Sequence, residues 1–222
     1  MATILGIGDL HEPYTHHRYL RFCKDVYRRF RCTQAVFLGD IADNHAISYH
    51  EHDPNLYSPG DELRIARRKI RKWVVAFPNA KVCEGNHDKL PFRKAMTCGL
   101  PFEWIRNYAK LWDTPGWDWQ LEHIIDDVLY THQRGSGVTA ALNGAIKERM
   151  SVVIGHLHGQ FGVKYTASKK DRIFGADCGC GIDVKKRAFA YGKEFAQKPI
   201  LGCLVIKDGW YPQAIPMRLN GK

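Results

Sequence analysis

The 222 residues contain no Cys-x-x-Cys pair and no acidic excess. No window approaches the ~18 apolar residues that a membrane span requires. The seven cysteines are Cys23, Cys32, Cys83, Cys98, Cys178, Cys180 and Cys203, an odd number without pairwise spacing. That argues against a disulfide framework and against a four-cysteine zinc site, and it fits a reducing compartment. Cys178-Gly179-Cys180 has a one-residue spacing that chelates poorly. Cys23, Cys83 and Cys203 are expected as small buried hydrophobes inside regular elements. The opening segment MATILGIGDLH has no basic run, and its apolar stretch is too short for a secretory signal. Internal repeats, low-complexity tracts and Pro/Ser-rich linkers are also missing. The expectation is one domain over residues 1–222, located in the cytosol, with no membrane association.

What is present is an ordinary globular composition, 45% hydrophobic and 12% aromatic, which can supply a sizeable core. Two features stand out. Lys and Arg number 33 against 23 Asp and Glu, a net charge of +10. Such a surplus favours an anionic partner such as nucleic acid, a phosphate ester or a membrane surface. There are also 11 histidines.

Six short apolar stretches read as strands: Thr3–Ile7, Ala35–Leu38, Lys81–Cys83, Asp127–Thr131, Val152–Ile154 and Ile200–Ile206. Their Val, Ile and Leu content suits strands buried on both faces. Helical spacing links Leu20, Cys23, Tyr27 and Phe30, then Leu63, Ala66, Ile70, Trp73, Val74 and Phe77. A third helix is expected over about 138–149. This alternation predicts a layered α/β domain. Residues 90–120, with Pro91, Pro101, Pro115, Trp104, Trp112, Trp117 and Trp119, break the rhythm. They read as a Trp-rich helical or irregular insert, either a cap or local core. After Gly159 the chain turns strand- and turn-rich and is expected to end in a pair of strands.

Five of the early strands run into polar residues of one chemical type. These are Gly8-Asp9-Leu10-His11, Gly39-Asp40-Ile41-Ala42-Asp43, Gly85-Asn86-His87-Asp88, His132, and Gly155-His156-Leu157-His158. Ligands of open α/β sheets bind at the carboxyl ends of strands. In an extended segment residues i and i+2 point the same way, so Asp9 and His11 can face one ion together, as can His156 and His158. The glycines at 8, 39, 85 and 155 permit sharp turns out of the sheet. Imidazole mixed with carboxylate oxygen, without thiolate, suits Mn, Fe or Zn. Seven candidate ligands exceed the needs of one ion, whereas two ions sharing a carboxylate would use them all. His123 competes with His132, which is preferred because it ends the run Val128-Leu129-Tyr130. His16, His17, His45, His50 and His52 read as loop or helix residues, although His45 could line the substrate side. Asp88 reads as a cap on the following turn.

The ordered set Asp-x-His, Gly-Asp-x-x-Asp, Gly-Asn-His-Asp, lone His and Gly-His-x-His resembles the calcineurin-like metallophosphoesterase superfamily. It extends over residues 8–158, and the part after about residue 172 is similar in character to small bacterial and phage-encoded members. The resemblance implies an α/β/β/α sandwich with metals at the carboxyl ends of the strands. It implies that Asp9, His11, Asp40 and His158 hold one ion and that Asp40, Asn86, His132 and His156 hold the other, with Asp40 bridging. The ions would be manganese first, with iron, zinc or nickel as alternatives. His87 would be the catalytic histidine beside the phosphate, and Asp43 would orient it. The cell implied is a bacterium or a phage-infected host.

Protein Ser/Thr phosphatases carry Arg where this chain has Asn44 and Glu where it has Asp88, which disfavours a phosphoprotein substrate. The expected activity is metal-dependent hydrolysis of a small or nucleotide-like phosphoester, monoester or diester. A nuclease or nucleic-acid end-processing enzyme is the alternative, and a non-catalytic metal-binding scaffold is the third reading. Nearly all the charge surplus lies in two segments. Residues 59–79 hold six basic against two acidic residues, and residues 164–198 hold nine against four. Each is a solvated face or a nucleic-acid footprint, the first centred on 64–72.

Overall fold

The computed structural model describes residues 1–49, 53–186 and 197–219. His50, His52 and the basic residues between 187 and 196 therefore lie outside the described residues.

The first expected strand forms as β1, Thr3–Ile7. It is central in a six-stranded sheet with β2 (Gln34–Phe37), β3 (Lys81–Cys83), β4 (Asp118–Gln120), β10 (Gly202–Lys207) and β11 (Tyr211–Pro216). The order is β11-β10-β1-β2-β3-β4. β1, β2, β3 and β4 run parallel, with Ile7 opposite Phe37 and Phe37 opposite Val82. β10 returns antiparallel, placing Cys203 opposite Ile7. A second sheet has the order β5-β6-β7-β9-β8. Its strands are β5 (Glu122–Ile125), β6 (Val128–Thr131), β7 (Ser151–Ile154), β8 (Phe161–Ala167) and β9 (Arg172–Cys178). β6, β7 and β9 are parallel within it.

Side-chain alternation divides the interior into layers. Leu5, Ile7, Phe37, Val82 and Cys203 face helices α1 (Tyr19–Arg29) and α2 (Pro59–Ala76), meeting Cys23, Val26, Ile70 and Trp73. Ile4, Val36, Leu38 and Leu204 on the opposite face pack against Val128, Tyr130, Val153 and Ala176 of the second sheet. Leu129, Val152 and Ile154 on its far side meet Ala140, Ala141 and Ala145 of α5 (Ala140–Glu148). The order of layers is α/β/β/α, as expected. α2 starts where its chemistry dictates: Ser58 Oγ accepts the Asp61 N–H at 3.2 Å, Pro59 follows, and Asp61 and Glu62 sit in the first turn. No helix among the described residues is long and apolar enough to cross a membrane.

Several strand bounds shift, β2 to Gln34–Phe37 and β10 to Gly202–Lys207. Asp127 is a turn residue, not a strand start. It and Asp126 have φ of +59° and +48° and form the two-residue turn that pairs β5 with β6. The Trp-rich stretch is mostly exposed, but it sends two of its tryptophans into the core. It contains α3 (Leu90–Thr97) and α4 (Tyr108–Trp112), then ends in β4, which extends the first sheet beside β3. Trp112 and Trp117 are buried, and Trp117 stacks on Phe37 at 4.7 Å. Trp117 Nε1 donates to the Phe77 carbonyl at 2.8 Å. Trp104 alone of the four is largely solvent-exposed, at 76%.

Candidate metal centre

The carboxyl ends of β1, β2 and β3 in one sheet and of β6 and β7 in the other converge on one rim. There, three sets of ligand atoms each lie within 4.8 Å of one another: Asp9–His11–His158, Asp40–His132–His156 and His11–Asp40–His87. Asp9, His11, Asp40 and His132 are almost wholly buried. Asn86 joins the second set, its Oδ1 lying 2.8 Å from His132 Nε2 and 2.9 Å from His156 Nδ1. Asp9 Oδ2 lies 2.9 Å from His158 Nε2, and Asp40 Oδ2 stands 3.6 Å from His11 Nε2 and 3.4 Å from His132 Nε2. Asp40 thus sits between the two sets.

All seven proposed ligands are brought together, but His156 and His158 do not face the same way. His156 has φ +65°, so the extended i, i+2 rule fails and the pair divides between the two sets. His11 (φ +51°) and Asp40 (φ +48°) share this left-handed conformation, which costs a non-glycine residue about 1–3 kcal/mol. Glycine's role also shifts. Of the glycines at 8, 39, 85 and 155, only Gly39 has positive φ, at +91°. Gly85 is required by proximity, because a Cβ there would stand 2.1 Å from Asp40 Oδ1.

Hydrogen bonds behind the ligands fix their tautomers. His132 Nδ1–H donates to the Leu38 carbonyl at 2.7 Å, leaving Nε2 to bind an ion. His11 Nδ1 is 2.6 Å from Asp43 Oδ1, again leaving Nε2 inward. The Asp43 carboxylate thus braces His11 and stands 3.5 Å from His87 Nδ1. The group oriented on His87 is the Asp43 backbone carbonyl, 2.5 Å from Nδ1. His87 packs edge-on to His11 at 4.6 Å between ring centres and is 24% exposed, which leaves it at the mouth.

Electrostatics sort the same groups. Burial alone would raise the Asp40 pKa, but His132, His87 and His11 hold its carboxyl well below the usual range. Burial and the neighbouring His87 push His11 well down. Burial and His132 lower His156. Burial works against charge on His132 too, yet Asp40 and Asp9 outweigh it and raise its pKa to about 10. The same contest, with Asp40 and Asp43 prevailing over burial, raises His87. The donor set of ionised carboxylate, amide oxygen and tethered imidazole fits divalent transition ions.

Three further residues support the site. Asp88 accepts N–H groups from Ile41 at 3.0 Å, Ala42 at 3.3 Å and Gly85 at 3.0 Å, joining the loops after β2 and β3. Asn44 Nδ2 donates to the His87 carbonyl at 2.9 Å. Glu62 of α2 accepts the N–H groups of His45 and Ala46 at 2.9 and 2.8 Å. In the sequence Glu62 reads only as a first-turn acidic residue of α2, and its burial is visible only in the structure. His123 lies apart from the ligand sets, its Nε2 3.2 Å from the Val82 carbonyl.

Fold and site together define an α/β/β/α sandwich with a carboxylate–imidazole candidate metal centre where two sheet rims meet. Among solved structures, the chain is similar to Vps29 of Chaetomium thermophilum at 12% identity and TM-score 0.46, covering 93% of this chain and 82% of that one. It is also similar to a metallophosphoesterase from Sphaerobacter thermophilus (14%, TM-score 0.45, covering 99% and 89%). A third is the nuclease MPE of Pseudomonas putida (12%, TM-score 0.40, covering 96% and 86%). No family model and no curated protein matches.

Proposed function

We propose that the chain is a metal-dependent phosphoesterase of the calcineurin-like superfamily. The observation that carries this reading is the convergence of the Asp9–His11–His158 and Asp40–His132–His156 sets, with Asp40 Oδ2 also 3.6 Å from His11 Nε2. Asp9, His11, Asp40 and His158 would hold one ion, and Asp40, Asn86, His132 and His156 the other. Ions held there would supply an acidified water as nucleophile and would stabilise charge on the phosphoryl oxygens. The chain's own residues do the rest. Leu38 and Asp43 hold the imidazoles of His132 and His11 in the tautomers that present Nε2. His87, anchored through Nδ1, offers its Nε2–H to a phosphate oxygen or to the departing alkoxide, with a typical contribution of ~10²–10⁴-fold. Burial of Asp9 and Asp40 keeps bulk water from screening their charge.

The test is hydrolysis of p-nitrophenyl phosphate and bis-p-nitrophenyl phosphate with added Mn²⁺. Turnover should vanish in Asp40→Ala and fall by about 10²–10⁴ in His87→Ala with metal content unchanged. Hydrolysis of neither ester by the metal-loaded protein would sink the reading. Unaltered turnover in His87→Ala would remove that residue's role and leave the metal centre standing.

A further inference from the structure

A cleft of about 310 Å³ is lined by Tyr14, Asn55, Tyr57, Lys69, Lys185 and Lys186 among others, none of them a candidate metal ligand. Two of the four segments that line it are tied to candidate metal ligands. The Tyr14 N–H donates to the His11 carbonyl at 2.7 Å, and Gly181 N–H, ahead of the lysine pair, donates to the Asp9 carbonyl at 2.8 Å. These two segments also bind each other, Asp183 N–H to the Tyr14 carbonyl at 2.9 Å. One wall of the cleft thus continues the loop bearing Asp9 and His11.

Its lining holds three ammonium groups and no carboxylate. Lys69 is anchored by a hydrogen bond to the Pro13 carbonyl, with buried Glu12 behind it at 3.8 Å. Lys185 and Lys186 are exposed, and among the described residues neither forms an ion pair. Tyr57 lies nearly parallel to Tyr14, 16° between planes and 6.2 Å between centres, and is 43% exposed. Ammonium groups beside aromatic faces are the combination that tracks a phosphate chain and stacks its bases.

We propose that this cleft is a second anion subsite, receiving another phosphate of a nucleotide-type substrate whose scissile phosphate lies at the metals. The proposal rests on the phosphoesterase reading for the position of the first phosphate. The shared chemistry is a second phosphate, supplied either by a single-stranded oligonucleotide or by a nucleoside polyphosphate.

The binding test uses the full-length protein carrying His87→Ala with Mn²⁺ present, so that the first phosphate keeps its metals while turnover is slowed. Probes are a fluorescein-labelled 5′-phosphorylated tetrathymidylate, thymidine triphosphate and thymidine monophosphate. In Lys185→Glu/Lys186→Glu, affinity for one or both multiply phosphorylated probes should fall about tenfold, and the salt slope for the oligonucleotide should shrink by roughly 1.4, from two lost contacts at ~0.7 each. Thymidine monophosphate binding should stay within about twofold, as should Mn²⁺-dependent hydrolysis of p-nitrophenyl phosphate measured with His87 in place, and Lys185→Arg/Lys186→Arg should bind as the unaltered lysines do. The probe that loses more identifies the source of the second phosphate. No loss with either multiply phosphorylated probe, or equal loss with the monophosphate, overturns the subsite. If the His87→Ala protein binds the probes with the expected lysine dependence but wild type never hydrolyses p-nitrophenyl phosphate, the enzymatic reading falls while the cleft stands.

Discussion

Three backbone N–H groups from two different loops point at the single carboxylate of Asp88. An Asn there would turn an amide N–H₂ toward donors that need an acceptor. Asp88→Asn should therefore cost about 1–3 kcal/mol in urea unfolding, and weaken Mn²⁺ binding because Asp40 and Asn86 sit on the loops it joins. Wild-type stability with wild-type metal affinity would show that the brace does nothing. His132 makes a second prediction at this scale. Its native pKa of about 10 exceeds that of a free imidazole near 6.5. In metal-free protein its contribution is therefore full below about pH 6.5 and lost as pH rises toward 10. Thermal melts of chelator-treated protein should show this loss over that window, and His132→Gln should flatten it. A divalent ion competes with the proton for Nε2, so calorimetry at about pH 8 should register about one proton released, absent in the variant.

At the scale of elements, β1 and β3 lie at the residues where composition placed them, whereas β2, β7 and β10 are shifted by one or two residues at an end. β5 was not legible, because it is half-exposed and its polar alternation looks like loop; β8 falls in the stretch read as strand-rich, but its half-exposed residues gave it no bounds. β4 was hidden in a segment dense in Pro and Trp, where pairing with β3 overrides local punctuation. The site was legible residue by residue, since strand ends carry it. Its backbone was not, because positive φ at His11, Asp40 and His156 is imposed by neighbouring loops and leaves no mark in residue type. Legibility also failed between cap and core for the tryptophans, which composition cannot separate. Burial separates them, and stability should follow. Trp117→Ala should lose about 3–5 kcal/mol in urea unfolding, while Trp104→Ala stays within about 0.5. Equal losses would contradict this division.

For the whole molecule, the question is what a charge of +10 does around a site built on aspartates and histidines. Half of the α2 cluster is occupied structurally. Arg64 pairs with Asp61, Arg67 Nε donates to the Leu111 carbonyl at 2.6 Å, and Lys69 holds Pro13. Arg68, Arg71 and Lys72 remain exposed on the helix that also lends Lys69 to the cleft. Exposed charges several ångströms from the chemistry alter encounter rather than the chemical step, and salt screens them over a Debye length of about 10 Å at 0.1 M. The triple variant Arg68→Glu/Arg71→Glu/Lys72→Glu should therefore lower kcat/KM for an oligonucleotide by about tenfold and leave kcat unchanged. Raising salt from about 50 to about 300 mM should depress wild-type kcat/KM more steeply than that of the variant. A fall in kcat instead would mean that these side chains support the active-site loops. No change in either constant would make the surplus on α2 a solvated face, and the anion preference would then rest on the lysines of the cleft alone.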